Sequence, residues 1–198
     1  MKKTICSLLV AFAFITGGSP AAAADVDLYF SSMEKMVEQQ VLTDGGRLYL
    51  FGDRDTPCLS AFLENPKVSE SKGKLLIRFD FSGSMAGKLG GDCVGLSEKF
   101  PLTVMGVPAY EDGWVYLQSV QFSGQSRTDA FNDKIRVFID EKLQKIFRHD
   151  VMGDIHLLIE ENRDRTPFSI ELQALDVPRI ELHKDRLSLD LDFSLTLR

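Results

Sequence analysis

No stretch of this sequence approaches the roughly 20 consecutive apolar residues that a bilayer-spanning helix needs, so no transmembrane segment is expected. The longest apolar run, Ile5 to Ile15, is too short for that role. Basic residues are also scarce: 23 Lys and Arg stand against 29 Asp and Glu. They form no cluster with interleaved aromatics, which argues against nucleic acid as a partner and against adhesion to anionic lipid headgroups. Internal repeats and low-complexity linkers are missing, which removes solenoids and tethered modules. No cofactor is expected.

What is present begins with an address. Lys2 and Lys3 precede the apolar run, and Gly17, Gly18, Pro20 and four alanines follow it. This is the layout of a secretory signal peptide, residues 1–24, cut near Ala24. A lipoprotein needs a cysteine just after the run, whereas Cys6 lies near its start. Cleavage would remove two lysines and leave a single domain, 25–198, with 21 basic and 29 acidic residues, net −8. The expected location is the periplasm.

Two cysteines would remain, Cys58 and Cys93, and an even pair in an oxidising compartment reads as a disulfide. The competing reading takes "GDCVG" around Cys93 as a nucleophile elbow. That device requires a strand before it and a helix after it, and "SGSMAGKLGG" and "LSEKFP" supply neither. Bond-making chemistry is therefore not expected.

Apolar periodicity supplies the elements. Tyr29, Met33, Met36, Val37 and Val41 predict an amphipathic helix over 25–42, stopped by "DGG". Thr56, Pro57 and Pro66 predict one or two helical turns in "TPCLSAFLENP". Leu75, Ile77, Phe79, Phe81 and Met85 alternate as a strand with one wet face, and the glycine-rich "AGKLGGDCVG" reads as a loop. The segment 100–122 gives two strands around Pro108, which belongs at an edge or bulge. Ile135, Phe138, Ile139, Leu143, Ile146 and Phe147 form the stripe of a long amphipathic helix. Strands follow at Ile155 to Ile159, Phe168 to Ala174 and Ile180 to Leu182. The last strand is the plainest: Leu187, Leu189, Leu191, Phe193, Leu195 and Leu197 alternate with polar residues without a miss. The fold class is α+β with an antiparallel sheet.

The order of "VMGVPAYEDG", "WVYLQSVQF", the long helix and the closing "LSLDLDFSLTLR" resembles the tubular lipid-binding (TULIP-like) half-barrels, in particular a bacterial envelope lipoprotein family of that fold. The resemblance covers Phe100 to Arg198. It implies a strongly curved antiparallel sheet wrapped around the long amphipathic helix, with a tunnel between them for acyl chains. A sixteen-carbon tail requires roughly 12 kcal/mol of apolar burial, at about 0.8 kcal/mol per methylene. The lining would come from Leu75, Ile77, Phe79 and Phe81, from Ile135, Phe138, Ile139 and Leu143, and from Leu187, Leu189, Leu191, Phe193 and Leu195. Leu187 to Leu197 alone extends about 34 Å at roughly 3.4 Å per residue.

The same alternation also arises when helix and sheet pack with no space between them. Two functions are therefore carried forward. One is a periplasmic, non-enzymatic protein sheltering a lipid or another long apolar ligand; the other is an envelope assembly module with a filled core, whose partner is an envelope protein or a second copy. Among polar residues, "HDVMGDIH" groups His149, Asp150, Asp154 and His156, but His149 reads as a helix C-terminal residue and His156 as the wet side of a strand. His183 falls in the "HKDR" turn. Asp53 and Asp55 lack the rest of a calcium loop. Asp190 and Asp192 read as a solvated face, and Trp114 as a sheet residue or a rim aromatic.

Overall fold

The computed structural model describes residues 21–124, 126–138, 147–161 and 169–197. Twelve elements follow in order among them: β1 (Ala21–Tyr29), α1 (Phe30–Gln40), β2 (Leu48–Phe51), β3 (Leu59–Ser71), β4 (Lys74–Leu89), β5 (Asp92–Glu111), β6 (Trp114–Ser123), α2 (Asp129–Phe138), β7 (Arg148–Asp150), α3 (Val151–Glu161), β8 (Ile170–Leu182) and β9 (Arg186–Leu197). The strands form a six-stranded antiparallel sheet, β2-β3-β4-β5-β6-β7, curled into a half-barrel, and a three-stranded sheet, β1-β9-β8. The antiparallel sheet and its curvature are as expected.

The long helix is not supported: the described helices are short, α2 covering Asp129–Phe138, and Ile139 and Leu143 lie outside the described residues. What the half-barrel encloses is the stripe of α2, where Phe131, Ile135 and Phe138 are buried with Leu63, Phe79, Phe81, Leu102 and Val104. Phe131 meets Phe81 edge-on at 5.6 Å, and Phe81 stacks on Phe100 at 4.5 Å. Gly83 makes room for this arrangement, since a Cβ there would sit 2.7 Å from the Phe131 ring and 2.8 Å from that of Phe81.

Further expectations are corrected. The predicted helix over 25–42 is a strand up to Tyr29 and a helix from Phe30, because Val26 and Leu28 alternate with acids and pair with Leu189 and Leu187 of β9. Val37 and Phe30 still form the buried side of α1. The predicted turns after Pro57 are strand β3. Asp53 Oδ1 accepts from the Asp55 N–H (3.0 Å) and from the Thr56 hydroxyl (2.9 Å), so Thr56 closes a turn rather than capping a helix. Ala61 and Leu63 then alternate inward. The predicted strand at Ile155 is helix α3, whose first turn is capped by Asp150 Oδ1 accepting from the Gly153 N–H at 2.8 Å. Ile155 packs inward there, while Leu157 is exposed. The separate segments read at Ile170 and Ile180 are one bulged strand, β8.

The glycine-rich loop is a hairpin. β4 and β5 pair as far as Leu89↔Asp92, turning through Gly90 and Gly91, both at positive φ as a two-residue turn requires. β3 stops pairing at Met85 and β6 at Thr103, so the tip stands out as a two-stranded ribbon. Leu89 and Val94 are exposed on it, and Leu59 beside it at the start of β3, continuing the face that carries Phe81 and Phe100. The expected Cys58–Cys93 disulfide joins this ribbon to the start of β3. Pro108 lies past the end of β4, beside the Met105/Val107 bulge, as predicted.

Both sheets share a seam. Tyr110 of β5 donates its hydroxyl to the Leu175 carbonyl of β8 at 3.0 Å, and Met33 and Leu182 pack against both apolar clusters. The outward face of the small sheet carries acids opposite acids, Asp25↔Asp190 and Asp176↔Asp192.

A polar clasp fixes the start of α2 to β5. Ser126, 3 % exposed, donates its hydroxyl to Glu98 Oε2 at 2.6 Å, and the Arg127 N–H reaches the same oxygen at 3.0 Å. The Ser126 hydrogen bond, foremost among these contacts, holds the Glu98 carboxyl below its ordinary range, against the opposing effect of desolvation. A lowered folded-state pKa gives stability that is complete above the unfolded value, about 4.3, and lost as pH falls through the folded one. Glu98→Gln should therefore flatten the acid side of a thermal-midpoint profile taken from pH 7 to 3. An unchanged slope would show that the clasp contributes nothing.

Candidate functional site

Where the two sheets and α1 meet, an apolar groove of about 120 Å³ remains, partly open to solvent. Its walls come from three directions. Leu28, Leu187 and Leu189 belong to the small sheet; Met33, Met36 and Val37 belong to α1; Leu75, Ile77 and Leu117 belong to the half-barrel. The rim is polar and is made by Gln40, Tyr116, Arg148 and His149.

Each wall follows from local sequence. The inward positions of β4 and β9 are the alternating leucines and isoleucines already noted, and Phe30 N–H donates to the Asp185 carbonyl at 2.9 Å, seating the first turn of α1 against the β8–β9 turn. Farther along α1, Glu34 accepts from the Val68 N–H at 2.9 Å and from Lys67 Nζ at 3.2 Å. Those bonds clamp α1 to the half-barrel and keep the third wall in place.

The predicted lining divides. Leu75, Ile77, Leu187 and Leu189 face the groove. Phe79, Phe81, Ile135 and Phe138 are instead consumed by the packed core around Phe131. Leu191 is buried in the second cluster, Phe193 packs against it, and Leu195 is half-buried. The structure therefore gathers about a third of the residues named from sequence into one place. It adds Met33, Met36 and Val37, whose helical stripe was legible, and Arg148, which carried no sequence signal beyond its position after Phe147.

At the rim, the Arg148 guanidinium lies 4.9 Å from the centre of the Trp114 ring, a cation–π contact. Trp114 itself is a sheet residue, the first of β6, paired with Glu111 and Asp150. His149 is in β7, opposite Val115, not at a helix C-terminus, and its Nε2 lies 2.7 Å from Asp154 Oδ2. His156 is exposed on α3 and Asp150 is spent on the α3 cap. Among the described residues no three His, Cys, Asp or Glu side chains converge to hold a metal ion. Cys93 is in the disulfide.

A volume near 120 Å³ is close to the roughly 150 Å³ apolar cavity that accommodates a benzene-sized guest. It has room for about four to six carbons, well short of the usual roughly 300 Å³ lower bound for a drug-sized ligand. The arrangement can desolvate a short apolar segment and meet a polar group at the mouth. Comparison of the chain with protein-family models, with curated proteins and with solved structures finds no match.

Proposed function

We propose that this protein is an exported, non-enzymatic binding protein that takes the end of an apolar chain, such as a lipid tail, into the groove between its two sheets. The observation that carries the reading is the groove itself: apolar side chains from both sheets and α1 bounding about 120 Å³, with Gln40, Tyr116, Arg148 and His149 as its polar lining. The resemblance to tubular lipid-binding half-barrels supports it, as does the curled antiparallel sheet. The signal-like residues 1–24 and the disulfide support a periplasmic setting. Burying four to six carbons stabilises a complex by about 3 to 5 kcal/mol before the costs of association. The rest of a long tail would lie outside.

Solvent extraction of freshly purified protein followed by mass spectrometry tests this. A stoichiometric amphiphile is the expected result, and repeated absence rejects carriage. A second reading is favoured by a different observation: the packed phenylalanine core, the exposed Leu89 and Val94 of the ribbon and Leu59 beside it suit an envelope assembly module that docks a partner and carries no ligand. Clean extraction, together with pull-down of an envelope protein that Leu89→Ser abolishes, would favour that alternative.

A further inference from the structure

Tyr116, Leu117 and Arg148 line the apolar groove and also a second depression of about 390 Å³, whose remaining described walls are Glu111, Gln118, Ser119 and Val120. The two spaces share a boundary and have opposite character. The inner one is apolar; the outer one offers a guanidinium, a carboxylate, an amide and a hydroxyl.

Among the described residues β7 pairs with β6 only at Trp114, Val115 and Tyr116, and the outer depression lies along β6 from Tyr116 to Val120. There the β5–β6 register shifts between Met105 and Val107, and Ser119 adopts φ 53. A non-glycine residue in the left-handed region is a strained conformation that persists only where its surroundings enforce it. It falls on the wall of this depression.

Charge placement adds a second, independent observation. Arg148 and Glu111 line one depression yet form no ion pair with each other among the described contacts. Arg148 lies over Trp114, and Glu111 Oε2 accepts from the Tyr116 hydroxyl at 3.3 Å. Two opposite charges held apart by separate partners are complementary to a ligand that carries both signs, whereas a simple anion would meet the Glu111 carboxylate as well as Arg148.

We infer that the ligand is a single-chain amphiphile with a zwitterionic head, its tail end in the groove, its anionic group at Arg148 and its cationic group at Glu111. This rests on the groove reading above. Gln118 and Ser119 are the hydrogen-bonding wall for the head.

Calorimetric titration with eight-carbon probes tests it: octylphosphocholine and an octyl sulfobetaine as zwitterions of two head chemistries, with octyl phosphate and octanol alongside. Octylphosphocholine, whose phosphate adjoins the chain, should bind about tenfold or more tighter than octanol, as expected for charged hydrogen-bonding groups, and tighter than octyl phosphate. The sulfobetaine, whose ammonium adjoins the chain, presents the two charges in the reverse order and should lose that advantage; equal binding of the two zwitterions would overturn the placement of the anionic group at Arg148 and the cationic group at Glu111. Arg148→Gln and Glu111→Gln, both at exposed positions, should each remove the octylphosphocholine advantage, and Glu111→Gln should not weaken octyl phosphate. Met36→Trp, which fills the groove, should abolish binding of all four. Octanol or octyl phosphate binding as tightly as octylphosphocholine would overturn the head assignment and leave the groove reading standing. If octanol and every other probe fail to bind, both readings fall together. Unchanged thermal midpoints of the unliganded variants would assign the losses to binding rather than folding.

Discussion

Replacing Phe131 by alanine is expected to lower stability by about 3 to 5 kcal/mol, the largest single-site effect in the molecule. Three observations set that magnitude. Phe131 is fully buried, it contacts Phe81 edge-on and stacks with Phe51 at 6.4 Å, and it projects from α2 into the hollow of the half-barrel. Its removal leaves a void that neighbours cannot close, because α2 is held at its start by the Ser126–Glu98 clasp. Gly83 sharpens the expectation: with no Cβ beneath the ring, the truncated site has nothing to collapse into it. Urea unfolding should show a reduced midpoint with little change in slope. A loss under about 1 kcal/mol would mean that α2 is not the plug of the sheet.

The second large effect belongs to the disulfide. Cys58 and Cys93 are 35 residues apart, and constraining a loop of that length in the unfolded chain is worth about 3 to 4 kcal/mol in the chain-entropy account. Cys58→Ser/Cys93→Ser should therefore unfold at markedly lower denaturant concentration than the oxidised protein. The bond joins the projecting β4–β5 ribbon to the residue just before β3. Because the loss acts on the whole unfolding equilibrium, hydrogen exchange at core amides such as Leu63 and Phe79 should accelerate with it; acceleration confined to Gly87 to Gly95 would show that the bond holds only the ribbon.

Much of the fold was legible where one pattern had one interpretation. Leu187 to Leu195 alternate too regularly for a helix, and they are a strand; the same holds for Leu75 to Phe81. Pro108 was placed correctly because a residue without an N–H can occupy only certain sheet positions. The turns "EDG" and "HKDR" were likewise set by local chemistry. Failures came where short segments fit two periods. Tyr29, Met33 and Val37 satisfy a helix, yet Val26 and Leu28 satisfy a strand, and only the availability of β9 as a pairing partner decides where one gives way to the other. Ile155 and Ile159 fit both a strand and a helical i, i+4 pair; the Asp150 cap decides that case. The groove was less legible still. Leu75 and Phe79 share one face of one strand, but α2 packs over the second and α1 only borders the first. That difference depends on where helices distant in sequence come to rest.

The facing acids of the small sheet have a consequence for the medium in which the protein works. Asp25 against Asp190 and Asp176 against Asp192 place like charges on adjoining strands, an arrangement that destabilises cross-strand pairs, and Arg179 opposite Asp190 offsets only the first of them. Mobile counterions soften such repulsion, with a screening length of about 10 Å at 0.1 M salt. This layer should thus tighten as ionic strength rises, and in dilute buffer its negative field should keep a second small sheet from stacking against it.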